Sequence, residues 1–250
     1  MKTCRKTILL AVVVAAGALA PSEAMIIRHD RDEADYRQLG LQYPAVGKIS
    51  PDGTGTLIAP RWVLTAAHVA QMFQRREGAV SFGGRSYAVE ASFVHPDWKG
   101  FGDVADIALR RLAEPVRAIE AVGLNEKKDE AGKPVVFVGY GDFGTGKTGA
   151  VKVDGVLRGA TNQVAEVQER AIFFTFNDPA DATRLEGISG PGDSGGPALV
   201  ERKGKLWTLG VSSVGMEPEG QKPGTYGGRD RYTRVSTYVG WIHKTMRKNK

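Results

Sequence analysis

At 250 residues, of which 42% are hydrophobic and 25% charged, the chain can bury a sizeable core as one large or two small β-rich domains. Its single cysteine, Cys4, lies in the extreme N-terminal segment, which excludes a small disulfide scaffold and any cysteine-built metal site in the rest of the chain. The formal charge of +6 is mild and spread along the sequence, without the dense basic patch and aromatic partners that nucleic-acid binding requires.

The first 24 residues read as a secretory signal peptide. Lys2, Arg5 and Lys6 form a basic start, residues 8–20 an apolar run too short for a comfortable membrane span, and Ser22 and Ala24 small residues at cleavage spacing. The competing reading is an uncleaved anchor. Cleavage after Ala24 removes three cations and Glu23, lowering the charge from +6 to +4, and gives a secreted or periplasmic product with no membrane segment. Residues 25–43 read as a polar lead-in.

Short β-type runs follow at 54–58, 62–66, 86–94, 104–112, 135–140, 172–176, 197–200, 206–214 and 231–235, separated by Gly, Pro, Asn and Asp. Such punctuation predicts a sandwich or barrel. The polar stretch 125–132 is the candidate linker between two halves, 25–128 and 129–250. One helix is expected after Ser236, a candidate N-cap, with Val239, Ile242 and Met246 on one face packed on the second half. Lys244, Arg247, Lys248 and Lys250 at its end read as a solvated helix face.

Chemistry concentrates at Gly192-Asp193-Ser194-Gly195-Gly196-Pro197, Thr65-Ala66-Ala67-His68 and Asp106-Ile107-Ala108-Leu109. A serine hydroxyl is a poor nucleophile until an imidazole takes its proton, and the imidazole needs an acid to fix its tautomer. The tetrahedral oxyanion needs fixed donors, each worth roughly 3 kcal/mol of transition-state stabilisation. Gly192, free of a side chain, and Ser194 can turn their N–H groups to that task, while Gly195 and Gly196 permit close backbone approach. His68 stands out because Trp62-Val63-Leu64 delivers it to the end of a buried strand. His29, His95 and His243 have surface or structural settings.

On these motifs, the chain after residue 44 resembles the chymotrypsin/trypsin family of serine endopeptidases. Trp62 to His68, Asp106 to Leu109 with Leu112, and Gly192 to Pro197 match in identity, order and spacing. Val138-Gly139-Tyr140-Gly141 and Tyr232-Thr233-Arg234-Val235 before Tyr238 to Ile242 add to the match. The resemblance implies an all-β fold of two six-stranded antiparallel β-barrels with a C-terminal α-helix. The first barrel would hold the histidine and aspartate, and the second the nucleophile. It implies His68 as base, Asp106 as orienting acid (Asp103 being the rival), Ser194 as nucleophile, and Gly192 and Ser194 as the oxyanion hole. Ser213-Val214-Gly215 would bind substrate backbone as an added strand. The substrate would be a polypeptide; neither cofactor nor metal is called for, and the oligomeric state stays open.

Departures from the pattern are informative. Val69, Gly190 and Ser236 occupy usual cysteine positions, so the disulfides are absent as a set. Val214 replaces an aromatic pocket wall. Ile188, six residues before the nucleophile, stands where trypsin-like members carry an acid, with Ser189 next to it. Asp230 falls where a pocket-lining glycine is usual. At the pocket base it would favour Lys or Arg substrates; the alternative is a surface acid paired with Arg229 or Arg231. Where the family inserts a freed N-terminal isoleucine against the acid before the serine, the corresponding pair here would be Ile26 and Asp193.

Gly141 to Thr148 also fits the phosphate-loop pattern, but alternation at Val151 and Val153 predicts a strand after it rather than the phosphate-binding helix. Asp178 and Asp181 read as solvated loop charge rather than a calcium site. The rival function is a catalytically silent binding protein on a protease scaffold, against which stands the presence of all three catalytic candidates.

Overall fold

The computed structural model describes residues 25–72 and 78–249; the segment read as an export signal, with Cys4, and the terminal Lys250 lie outside the described residues. In chain order, β1 (Met25–Ile27) and α1 (Glu33–Gly40) come first. Then follow β2 (Val46–Ile49), β3 (Thr54–Ala59), β4 (Trp62–Thr65), α2 (Ala67–Met72), β5 (Ala79–Phe82), β6 (Arg85–Val94) and β7 (Ala108–Leu112). Next come β8 (Gly123–Leu124), still in the first half of the sequence, and then β9 (Pro134–Gly139), β10 (Phe143–Thr145), β11 (Gly149–Lys152), β12 (Arg158–Gln163) and β13 (Glu166–Val167). The chain continues through β14 (Ala171–Thr175), β15 (Gly187–Ile188), β16 (Pro197–Arg202), β17 (Lys205–Met216), β18 (Arg229–Arg234) and α3 (Val235–Lys248).

The predicted two-barrel fold with a terminal helix is present. The first barrel closes in the order β2-β3-β4-β7-β6-β5. The second half is a curved sheet ordered β12-β9-β16-β17-β18-β14-β13, with β8 parallel to β17; its path does not close by hydrogen bonds. Along its β12 side, α1 packs closely, because Gly40 and Gly159 meet without side chains: a Cβ on Gly40 would lie 2.7 Å from the Arg158 carbonyl carbon. A smaller sheet, β11-β10-β1-β15, completes the half.

Several local expectations change. Residues 25–43 are structured: Met25, Ile26 and Ile27 are buried in β1, and Asp32 caps α1 by accepting the Ala34 N–H at 2.9 Å. The predicted run 104–112 is a strand only from Ala108, because the turn before it holds Asp106. Ser236 is not the cap of α3; the cap is Arg234, without a side-chain bond, and the Ser236 hydroxyl donates to Glu130 at 2.6 Å. That helix joins a core continuous with the first barrel, through Val235, Tyr238 and Ile242, rather than resting on the second half alone. Gly141 to Thr148 runs into the β10–β11 hairpin, with no helix behind it.

Candidate active site

β4 is buried along its whole length and ends at Thr65, so His68, the second residue of α2, follows directly and borders the cleft, 5% exposed. β7 lies antiparallel to β4, with Thr65 opposite Ala108, which brings the preceding Asp106 beside His68. Asp106 is fully buried and completely engaged. Its Oδ2 lies 2.7 Å from His68 Nδ1 and accepts the Ser213 hydroxyl at 2.7 Å; its Oδ1 accepts the His68 backbone N–H at 2.9 Å. Those bonds fix the carboxylate and the imidazole, leaving Nε2 of His68 for the cleft that the residue borders. Asp103, the rival acid, is a half-buried loop organiser: it accepts the Ala105 and Lys99 N–H groups, and the Ala105 bond in particular holds its carboxyl below the ordinary range.

Ser194 borders the same cleft of about 480 Å³ as His68. Its turn is pinned to the first barrel: Thr54 N–H donates to Ser194 O at 2.9 Å and Thr54 Oγ1 to Gly192 O at 3.1 Å. Gly192 sits at φ 88° and Gly195 at φ 84°, both left-handed. A Cβ on Gly195 would lie 3.0 Å from Ala66 N and still closer to Thr54 O, so only glycine lets the two halves meet here. The N–H groups of Gly192 and Ser194 find no acceptor among the described residues, whereas those of Asp193, Gly195 and Gly196 all do. The turn therefore spends its other donors on structure and leaves two for a ligand.

One wall of the cleft is the β17 edge, Ser213, Val214 and Gly215. Ile26, Ser189 and Asp230 also line it. Ile188, expected in the substrate pocket, does not border the cleft: it is 2% exposed and packs with Ile26 and Phe176 in the core. Asp230 points inward from β18, 2% exposed, because strand alternation sends Arg229 and Arg231 to the other face. Arg229 pairs with Glu166 at 2.7 Å, and Arg231 reaches the carbonyls of Gly102 and Asp103. Burial pushes the Asp230 carboxyl up to about 7, against the lowering effect of the Ser189 N–H at 2.8 Å.

Ile26 and Asp193 are not joined. Ile26 is mid-strand in β1, between Gly144 and Ile188. The Asp193 carboxylate instead accepts the N–H groups of Gly141 and Gly190, each at 2.8 Å, and burial pushes it up to about 7.

The family model described as Trypsin matches residues 34–242. The chain belongs to the trypsin family of serine endopeptidases. It is 32% identical over 218 residues to kallikrein-11 of Mus musculus, covering 78% of this chain and 73% of that protein. It is also 32% identical over 207 residues to trypsin of Squalus acanthias, covering 77% and 84%. Complement C1s subcomponent of Sus scrofa is 32% identical over 242 residues, but the match spans only 33% of that longer protein. Among solved structures, neuropsin, a serine protease of mouse brain, matches with a TM-score of 0.67 at 20% identity, covering 84% of this chain and 98% of that one, which shows the shared fold.

Three residues of this trypsin-family site went unnoticed in the sequence. Thr54 ties the nucleophile turn to β3. Phe101 meets the His68 ring edge-on, centroids 5.3 Å apart, although it is 73% exposed. Glu217 borders the cleft near Gly215 and Asp230. An aromatic residue between two glycines, Gly100-Phe101-Gly102, was the only available signal, and nothing local tied it to the histidine.

Proposed function

We propose that the chain is an exported serine endopeptidase that cleaves after Lys or Arg through an acyl-enzyme on Ser194. The observation that carries this reading is the His68–Asp106 contact of 2.7 Å, with Asp106 fully buried and Ser194 on the same cleft. His68 takes the Ser194 proton as the hydroxyl attacks the peptide carbonyl; Asp106 holds the imidazole tautomer and stabilises the imidazolium. The oxyanion accepts the N–H groups of Gly192 and Ser194. His68 then protonates the leaving amine, and water hydrolyses the ester by the reverse path. Ser213 to Gly215 supply a strand edge for the substrate backbone, and Asp230 a carboxylate for a basic side chain that descends past Ser189.

Export rests on the basic-then-apolar pattern of residues 1–24. The strand register supports Met25, rather than Ile26, as the residue whose freed amine would reach Asp193. From Ile26↔Ile188 and Met25↔Phe143, the residues flanking the N-terminal end of β1 lead into Gly190 and Gly141, the two donors to Asp193. Cleavage after Ala24 would thus leave the amine of Met25, rather than Ile26, beside the Asp193 carboxylate.

A serine-directed fluorophosphonate tests the central claim. The mature chain should be labelled stoichiometrically and Ser194→Ala should not be, with its melting temperature retained. A folded parental chain that resists the reagent and cleaves no peptide would instead be the silent protease-fold binder.

A further inference from the structure

We propose that Arg231 is a positioning residue of the catalytic group, a cation on the second half that holds the loop leading into Asp106 and the hydroxyl that donates to it. This rests on the serine endopeptidase reading above.

Strand alternation in β18 turns Arg231 away from the Asp230 cleft and across the junction between the halves. Its Nη2 donates to Gly102 O at 2.9 Å and to Asp103 O at 3.1 Å, both in the first half. The segment it grips is internally closed, because the Asp103 carboxylate takes the N–H groups of Lys99 and Ala105. A closed segment moves as a unit, and its exit is Asp106. Phe101, whose ring edges against His68, lies between the same glycines. One guanidinium therefore governs where both the acid and the ring beside the base sit.

The third and longest contact has a polarity. Nη2 lies 3.5 Å from Ser213 Oγ. A guanidinium has donors only. The serine oxygen can present just its lone pairs to it, which directs the single hydroxyl proton to Asp106 Oδ2, 2.7 Å away. Donors thus run inward from Arg231 through Ser213 to Asp106, where they meet the His68 Nδ1–H arriving from the other side, and the outer end of the chain is charged.

The test compares Arg231→Met and Arg231→Lys with Arg229→Met, which removes a surface ion pair on the same strand. The readouts are fluorophosphonate labelling rate, kcat and KM on a peptide amide, melting temperature, and the low-field proton resonance of the His68–Asp106 bond. Arg231→Met should lower labelling and kcat about tenfold, since small misplacement of a catalytic group is costly. KM should stay within about twofold, melting should match Arg229→Met, and the low-field resonance should broaden. Arg231→Lys, whose ammonium reaches the same carbonyls, should recover part of the loss. Should Arg231→Met fail to fold, the lysine variant decides, through a partial loss of kcat with a shifted resonance. The proposal is overturned if folded Arg231 variants keep parental kcat and resonance, or lose activity only in step with unfolding or only in KM. A parental chain inert to the fluorophosphonate overturns the endopeptidase reading itself and takes the role of Arg231 with it.

Discussion

The Asp230 carboxylate accepts the backbone N–H of Ser189 at 2.8 Å, which fastens a buried acid beside Ser189 where both border the cleft. Ser189 is further held by Tyr232, hydroxyl to hydroxyl at 2.7 Å, so the acid cannot swing out to solvent without breaking a packed arrangement. A cation entering from the cleft would meet a carboxylate with one oxygen still available.

Asp230→Asn should therefore switch preference rather than abolish catalysis. The asparagine oxygen can still accept the Ser189 N–H, but the charge is gone. A charge-assisted bond contributes about 1.5–3 kcal/mol, so kcat/KM for Lys and Arg peptides should fall roughly 10- to 100-fold. Cleavage after an uncharged residue should change within about threefold. Profiling on a mixed peptide library reads both; an unchanged basic preference would remove Asp230 from specificity.

The same burial makes stability depend on pH. The carboxyls of Asp193 and Asp230 are pushed up to about 7 from 3.8, chiefly by desolvation. Between those values the native state keeps protons that the unfolded chain has released. Their stabilising protonation is complete below 3.8 and lost progressively as the pH rises to 7, with no further change above it. Other carboxyls, such as Asp30 with Arg28, act in the opposite sense, so the comparison must be differential. Relative to the parent, Asp230→Asn should gain at least about 2–4 °C in melting temperature on going from pH 5 to pH 8. An equal offset at both pH values would contradict the buried-charge account.

The legible parts of the site share one property. His68, Asp106 and Ser194 each sit in a string whose neighbours announce a buried strand end or a tight glycine turn, so chemistry and local structure are read from the same few residues. Asp230 was legible to a lesser degree, through the resemblance alone, as an acid where the family usually has a pocket glycine, with a surface ion pair as the alternative. Thr54, Phe101 and Arg231 were not, because each acts on a residue far away in sequence: Thr54 on Ser194, Arg231 on Gly102. Ile26 was misread as lead-in because a three-residue strand is too short to show a period, and its partners, Gly144 and Ile188, lie over a hundred residues on. The stretch 125–132 looked like a solvated linker because its residues are polar, yet Asn125 and Glu130 are fully buried. Composition records polarity but not whether a partner satisfies it.

That buried network gives a stability prediction. Glu130 accepts Arg234 Nη2 at 2.6 Å and the Ser236 hydroxyl at 2.6 Å, joining the segment after β8 to the start of α3. Glu130→Ala would leave the Arg234 cation, 7% exposed, without its carboxylate. Removing one partner of such a pair costs about 3–5 kcal/mol. Thermal melting should drop by roughly 6–20 °C at this chain length. Fluorophosphonate labelling of the folded fraction should be unchanged, since neither residue borders the cleft. A loss of under about 1 kcal/mol would mean that the pair is solvated in solution.

The final prediction concerns the N-terminus, where register decides between two neighbouring residues. Among the described residues Asp193 meets only neutral donors, the N–H groups of Gly141 and Gly190, and burial pushes its carboxyl up to about 7. An ammonium beside it would favour the ionised form and order the turn that carries Ser194. At the start of β1, Met25 holds a left-handed φ of 70° and pairs with Phe143, two residues after Gly141, while Ile26 pairs with Ile188, two residues before Gly190. Ile26 is already committed on both flanks. Mass spectrometry of the labelled, active species should therefore find Met25 as its first residue, and a form retaining Ala24 should label at least tenfold more slowly. An active species beginning at Ile26 would restore the isoleucine pairing, and one beginning well upstream of Met25 would show that Asp193 needs no terminal amine.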